Sequence, residues 1–395
     1  MPASAIRPTD CPPAPLPYYP ALTGLRAVAA YLVFLVHFRS ADSSALYERL
    51  AGQGYVGVGL FFVLSGFVIA TRYQADDQRA PGWWRRYLWR RVARIYPVFF
   101  LLNGLALYHV YWPLARATAA NSLLLVVLSQ SLLKGFSNTL MFVGLPQSWS
   151  LTTEECFYFT APLVLLWQRH WRRAPLAFAA LMVGLGLALT ALCAGRPALH
   201  GLFGSYRALF NYLYFGRVLE FMLGVLLARW WAGRPAGVAA GGLPWRTTGG
   251  VALLVGTVGL LAWYNSPLDW YQGVRPPATV LNNVLFPLGA ILLLAGLLAE
   301  RSWLRSALAT PLLQALGRSS YFFYLFHVGV FSLWWQGRFG WGHYVGWQFL
   351  ATVIISELGY RYFEEPARRW ITARFAGPSA PASSPVPELV KSPSR

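Results

Sequence analysis

The sequence predicts an all-α integral membrane protein, a polytopic bundle of about ten transmembrane helices with a re-entrant segment on its outer face. Three observations predict it. The 395 residues are 56% hydrophobic and 12% charged, about half the ~25% charged fraction of an ordinary soluble domain. Their mean hydropathy is +0.43. The apolar residues also gather into ten stretches long enough to span, at about 21–38, 54–72, 95–112, 151–168, 175–194, 207–230, 248–264, 279–299, 319–337 and 344–362.

The first stretch reads ALTGLRAVAAYLVFLVHF and carries Arg26 and, eleven positions later, His37. Eleven steps of ~100° come to ~1100°, about 20° from three full turns, so both side chains share one helical face roughly 16 Å apart along the axis. An arginine near the centre of a span costs roughly 2.5–3.5 kcal/mol, which makes functional use the first hypothesis. The competing account is that Arg26 snorkels to the headgroups and His37 is a satisfied interfacial histidine. The first twenty residues are Pro-rich without an apolar core, so no cleavable signal peptide is expected ahead of this span. The second stretch, GYVGVGLFFVLSGFVIA, has glycines at its start and Ser65-Gly66 at its middle. Close helix packing is the simplest use of such small residues.

Ahead of the third span, WWRRYLWRRVAR from Trp83 to Arg94 sets aromatics among arginines, the pattern of an amphipathic helix lying on anionic lipid. The loop holding Arg79, Arg85, Arg86, Arg90, Arg91 and Arg94 should be cytoplasmic, which places the N-terminus inside. Charge also decides the ambiguous segment Ala119 to Leu133, some fifteen residues long and interrupted by Asn121, Ser122, Ser129, Gln130 and Ser131. If it crossed, the clusters Arg169/Arg172/Arg173, Arg229/Arg234/Arg246, Arg301/Arg305 and Arg368/Arg369/Arg374 would all lie outside. If it does not, all lie inside. Residues 113–150 are therefore read as an outer segment that dips into the protein and returns, with both termini cytoplasmic.

The fourth span opens on QSWSLTTEECFYF, with Trp149 at the interface and the adjacent acids Glu154 and Glu155 entering the membrane. One acid suits a helix N-terminus; the other needs a cation or a proton. Arg217 and Glu220 in the sixth span are spaced i, i+3 for an intrahelical ion pair. In the ninth, GRSSYFFYLFH puts His327 near mid-membrane, with Tyr321 and Tyr324 able to hydrogen-bond nearby. The last ends in YRYFEEPARRW, where Pro366 stops the helix and arginines anchor it inside. No internal repeat appears. The chain divides into a cytoplasmic segment 1–20, a transmembrane domain 21–370 and a disordered Pro/Ser-rich cytoplasmic tail 371–395.

The net charge of +19 comes from 33 basic and 14 acidic residues. In a polytopic chain this excess marks cytoplasmic loops, so no nucleic-acid partner is expected. Cys11, Cys156 and Cys193 lie at unrelated spacings, so neither a metal site nor a disulfide framework is expected. Depth sorts the polar residues. His37 and Glu154 belong to the outer half, Arg26, Arg91 and Arg94 to the inner half. A cationic inner mouth with an acid/base pair farther out suits a multiply phosphorylated donor delivered from inside and an acceptor waiting outside.

These motifs, taken in order, resemble the acyltransferase-3 family of bacterial membrane acyltransferases from about Leu22 to Trp370. The resemblance rests on LTGLRAVAAYLVFLVHF, on GYVGVGLFFVLSGF, on Arg91-x-x-Arg94 followed by IYP, on WSLTTEECFY, on GRSSYFFYLFH and on YRYFEEP. The sequence departs from many members at Thr23 and Gly59, where they carry Asp. Some members have a fused extracytoplasmic hydrolase-like domain, and nothing after Trp370 has the length for one.

The resemblance implies transfer of an acyl group, commonly acetyl, from cytosolic acyl-CoA to a hydroxyl on a glycan or similar acceptor that is extracytoplasmic or lipid-linked. It implies a multi-pass protein of the bacterial cytoplasmic membrane, with acyl-CoA as donor substrate and no permanently bound cofactor. His37 would be the catalytic histidine, Arg26 its motif partner along the CoA path, and Arg91 and Arg94 contacts of the CoA phosphates. His37 suits a general base and Glu154 would orient or charge it, with Trp149, Glu155, Arg217, Glu220, Tyr321 and His327 as further candidates. The alternative is a secondary transporter or flippase, since intramembrane charges also mark substrate paths; it calls for inverted repeats, which the sequence does not display.

Overall fold

In the computed structural model, residues 18–38, 43–111, 122–234, 243–264 and 276–377 are described. The N-terminal segment as far as residue 17, Cys11 included, lies outside them, as do 112–121, most of the Gly/Pro-rich loop after the sixth span and the tail from 378.

Helix α1, Pro20–His37, starts on a proline whose fixed φ suits the first helical position. It is central because its neighbours come unusually close. A Cβ on Gly24 would sit 2.0 Å from the Leu308 carbonyl oxygen, and one on Gly317 would sit 1.9 Å from that of Thr23. After the short α2, Ala45–Ala51, comes α3, Val56–Tyr73. Its glycines pack as the sequence suggests: a Cβ on Gly57 would approach the Ala29 carbonyl oxygen to 2.2 Å, and one on Gly66 that of Phe221 to 2.1 Å. Helix α3 is thereby clasped between α1 and a later helix, with Phe62, Val63 and Phe67 in the main core.

Helix α4, Trp83–Ala106, continues as one π-helical turn, Leu107–Tyr111. The dipping segment follows. Its helix α5, Ser122–Gln130, has nine residues, about 13.5 Å against a hydrocarbon core of ~30 Å, too short to cross. The segment is tied inward by Asn103 of α4, whose Nδ2 donates to Ser129 Oγ at 3.1 Å and to Gln130 Oε1 at 3.0 Å. Backbone held in this way inside protein is what membrane depth tolerates.

The order continues with α6, Trp149–His170; α7, Ala174–Cys193; α8, Tyr206–Asn211; α9, Tyr214–Ala232; α10, Trp245–Tyr264; and α11, Pro276–Val280. A π-helical turn, Leu281–Leu285, leads into α12, Phe286–Ala299. Next come α13, Trp303–Leu308; α14, Pro311–Arg318; α15, Ser320–Phe326; α16, Val330–Phe339; and α17, Val345–Gly359. A further π-helical turn, Tyr360–Glu364, joins α18, Glu365–Ile371. Among the described residues there is no strand, and six helical segments are long and apolar enough to cross a membrane. The protein is an all-α membrane bundle.

Three expectations need correction. Pro366 does not stop the last helix: it lies in the first turn of α18, and the helical course runs on through it. The stretch 319–337 is not one continuous helix: it breaks between α15 and α16, where Gly329 has φ +143°, a conformation open to glycine alone. The freed carbonyls of Leu325 and Val328 are taken by Gln147 Nε2 at 2.7 and 3.0 Å. Order also runs past residue 371, because Thr372–Ala376 forms another helical turn whose Phe375 stacks on Trp89 of α4 with ring centroids 4.5 Å apart.

Candidate active site

Along α1 the polar residues fall into two clusters, one around Arg26 and one around His37, separated by the roughly 16 Å that three helical turns give.

Arg26 lies deep in the bundle yet keeps accessible surface, and among the described residues it makes no hydrogen bond or ion pair. The charges around it are those of Arg94, Glu154 and Glu364. A guanidinium cannot shed its proton, so this one needs water or an anionic ligand. Glu154 reaches the cluster from the second turn of α6. Its Oε1 accepts from Ser65 Oγ of α3 at 3.2 Å and from the Tyr158 hydroxyl. These bonds correct the sequence expectation that Glu154 sits in the outer half to orient His37. Its partners belong to the Arg26 cluster, because five residues of helix below Trp149 carry it inward by about 7.5 Å.

Arg91 and Arg94 project from α4 into the same region, neither of them as a bare charge. Arg91 is caged by the rings of Tyr73, Tyr87 and Tyr158, with centroids 5.6, 5.8 and 5.2 Å from its guanidinium carbon, and donates to the Tyr73 hydroxyl at 3.2 Å. Arg94 lies 4.9 Å over the Tyr321 ring and is paired with Glu364. Its side chain remains 22% exposed, whereas Glu364 is 2% exposed and its Oε2 has no partner. Sequence reasoning gave Glu364 no role of its own; the π-helical turn ending at Glu364 delivers it into the bundle. Tyr321 was expected beside His327. Its hydroxyl instead donates to the Ile95 carbonyl of α4 at 2.7 Å.

The second cluster is built at the break between α15 and α16. His327, fully buried, has its ring centroid 5.3 Å from that of His37. The two histidines therefore share one level, and His327 is not nearer mid-membrane. Its Nδ1 lies 2.7 Å from the Tyr324 carbonyl, while Nε2 has no partner. Phe323 stacks alongside at 6.0 Å. The Tyr324 hydroxyl bonds Ser150 Oγ at 2.8 Å and the Gln147 carbonyl at 3.1 Å, tying the break to the start of α6. His37 itself is half-buried, so one histidine is reachable and the other is enclosed.

The remaining candidates stand apart. Arg217 Nε donates to Glu220 Oε2 at 2.9 Å, and Nη2 and Oε1 lie 2.8 Å apart, the ion pair that i, i+3 spacing predicts. A Cβ on Gly59 would lie 3.2 Å from Glu220 Oε1, so a carboxylate at this position would crowd a pair already balanced. Glu155 accepts from the Tyr96 hydroxyl on the side of α6 facing α4. Trp149 packs edge-on against Tyr212 at 5.0 Å. Sequence reasoning also passed over Lys134, fully buried in the dipping segment with its Nζ on the Val143 and Leu145 carbonyls.

Among the described residues, then, a guanidinium without a hydrogen-bond or ion-pair partner lies at one level of α1 and two adjacent imidazoles at the other. Comparison with known proteins gives the family. The chain is 29% identical to the acyltransferase MdmB of Streptomyces mycarofaciens, covering 90% of this chain and 84% of that protein. It is 25% identical to the peptidoglycan O-acetyltransferase OatA of Listeria monocytogenes and 23% identical to a putative O-acetyltransferase of Staphylococcus aureus. It spans 89% of its own length in both cases but only 56% and 58% of theirs. No solved structure shows significant similarity. Residues 19–357 match the acyltransferase-domain model, and the chain accordingly belongs to the acyltransferase-3 family and is a membrane acyltransferase.

Proposed function

We propose that the chain moves an acyl group, commonly acetyl, from cytosolic acyl-CoA to a hydroxyl of an extracytoplasmic or lipid-linked glycan or similar acceptor. The observation that carries this reading is the division of one helix between two chemistries, the unpartnered Arg26 beside Arg94 at one end and the paired histidines at the other. Arg26, Arg91 and Arg94 hold the phosphates of the donor, and its pantetheine arm carries the thioester along α1 toward His37. Glu154 and Glu364 keep the cationic region from accumulating uncompensated charge.

At His37 an imidazole nitrogen takes the proton of the acceptor hydroxyl as its oxygen attacks the thioester carbonyl. The tetrahedral oxyanion collapses, the C–S bond breaks, and the imidazolium returns the proton to the departing thiolate. The products are an ester and free CoA. A glycan acceptor is supported by the similarity to OatA, a peptidoglycan O-acetyltransferase. The arginine clusters support a cytoplasmic location for both termini and hence a donor entering from inside.

The test uses purified protein in nanodiscs with radiolabelled acetyl-CoA. His37→Ala should lower turnover by about 10²–10⁴-fold, the usual worth of a general base, with acyl-CoA binding nearly intact. Wild-type turnover in that variant would refute the reading.

A further inference from the structure

We infer that the arginine-rich end of the bundle carries a binding site for one anionic phospholipid, in the cleft where the turn between α6 and α7 meets the end of α9. The site is separate from the reaction and depends on neither His37 nor the donor.

The cleft is lined by Arg172 of that turn and by Leu226, Arg229, Trp230 and Gly233, and its volume is about 410 Å³, within the ~300–1,000 Å³ usual for a small ligand. Arg172 is exposed and makes no hydrogen bond or ion pair among the described residues. Arg229 is half-buried and held by one bond, from Nη1 to the Gln168 carbonyl at 3.0 Å, which leaves the rest of its fork free to donate. The guanidinium carbons of Arg234 and Arg246 lie 3.9 and 5.8 Å from the Trp230 ring centroid. Arg246 is paired with Glu300, whereas among the described residues no carboxylate pairs with Arg172, Arg229 or Arg234. Three cations without an internal counter-ion thus gather round one cleft, and their mutual repulsion favours an anion among them.

The place of the cleft decides which anion. Helix α6 ends at His170, α7 begins at Ala174 and α9 ends at Ala232, so the arginines stand where membrane helices end and headgroups lie. Leu226 is one turn deeper along α9 and gives the cleft an apolar floor. Helix α7, which packs along α9, turns Leu176 and Leu181 outward, 44% and 59% exposed. A phosphodiester between Arg172 and Arg229 makes charge-assisted bonds while its acyl chains continue over Leu226 into the hydrocarbon. A water-borne phosphate has no use for that floor. Basic clefts of this kind between membrane helices suit acidic headgroups.

Native mass spectrometry of the full chain in detergent, titrated with phosphatidylglycerol or with phosphatidylcholine, reads the site. One phosphatidylglycerol should stay bound where phosphatidylcholine does not. An arginine beside an acidic headgroup is worth about fivefold in affinity, so Arg172→Gln should weaken the bound lipid about fivefold and Arg172→Gln with Arg229→Gln about 25-fold. A glutamine at 229 can still donate to the Gln168 carbonyl, so the double variant should melt like wild type in phosphatidylcholine nanodiscs. Adding phosphatidylglycerol should then raise the melting temperature of wild type alone. If the double variant is less stable, Arg172→Gln, which breaks no internal bond, still reads the fivefold loss. Exposed Arg301 and Arg318 do not line the cleft, and replacing both by glutamine should leave the bound lipid in place. Undiminished binding in Arg172→Gln, or an equal loss in the Arg301/Arg318 control, would overturn the inference. Displacement of the lipid by inorganic phosphate or acetyl-CoA would do so too, by giving the cleft to a soluble anion.

Discussion

Removing the Arg26 charge should leave the fold as stable or stabilise it, while weakening its hold on acyl-CoA. Arg26 makes no hydrogen bond or ion pair among the described residues, so Arg26→Met, which keeps much of the side-chain bulk, breaks no internal bond. The substitution relieves a cation whose placement at depth costs about 2.5–3.5 kcal/mol on insertion scales. It also ends the repulsion with Arg94 and forfeits the attraction of Glu154 and Glu364. These opposing contributions leave a net change between about zero and 2 kcal/mol in favour of the variant. The donor should respond in the other direction. A charge-assisted bond to phosphate contributes about 1.5–3 kcal/mol, so affinity for acetyl-CoA should fall about 10- to 150-fold. Calorimetric binding and thermal melting of the same nanodisc preparation read both quantities. An Arg26→Met protein that melts several degrees lower and binds acetyl-CoA as tightly as wild type would show that Arg26 is structural.

The partner of Arg94 makes its simple removal a poor test, because Arg94→Ala strands a buried Glu364, at a cost of about 3–5 kcal/mol. Arg94→Met combined with Glu364→Gln should recover folded yield yet bind acetyl-CoA at least about tenfold more weakly, and unchanged affinity would return Arg94 to a purely structural role. Gly66→Leu should cost more than about 3 kcal/mol in detergent melting, since even its Cβ would collide with the Phe221 carbonyl at 2.1 Å; wild-type melting would contradict the close approach of α3 and α9. Glu300 gives a pH prediction. Burial alone raises its pKa, but hydrogen bonds from the Thr247 and Arg246 backbone N–H groups and the Thr247 hydroxyl outweigh burial and hold it below its usual range. Its contribution is therefore complete above the ordinary carboxylate pKa and disappears as pH falls through the lowered value. Glu300→Gln should lose stability at pH 7 and converge with wild type under acid melting; an equal deficit at both pH values would contradict this. Finally, a cysteine at Arg172 in a Cys-free background should resist an impermeant outside reagent, and labelling there would overturn the ten-span topology.

Reading the site from the sequence worked wherever partners lie within a turn of one another. The ion pair of Arg217 with Glu220 is a matter of spacing on one helix, and it stands as expected. The common face of Arg26 and His37 follows from helical periodicity alone. Gly57 and Gly66 sit where helices meet, as small residues in a span should. The failures have one character. Glu154 was paired with His37 on estimated depth, and its actual bonds, to Ser65 and Tyr158, depend on which face of α6 meets α3. Arg94 and Glu364 are 270 positions apart, and no periodicity connects residues at that separation.

What the sequence determined by itself is the class of the molecule and its axis of polarity. Apolar runs, arginine clusters and turn-by-turn spacing act locally, so composition and order suffice to read an all-α membrane bundle with arginines at one level of α1 and a histidine at another. Only the tertiary structure decided which polar groups answer one another. His327 stands beside His37 at the end of α15, just ahead of the break at Gly329, and the carbonyls freed there are taken by Gln147, from the outer segment 113–150. In a medium without water every freed backbone group must find a partner inside the protein, and that partner is chosen by packing among helices distant in sequence.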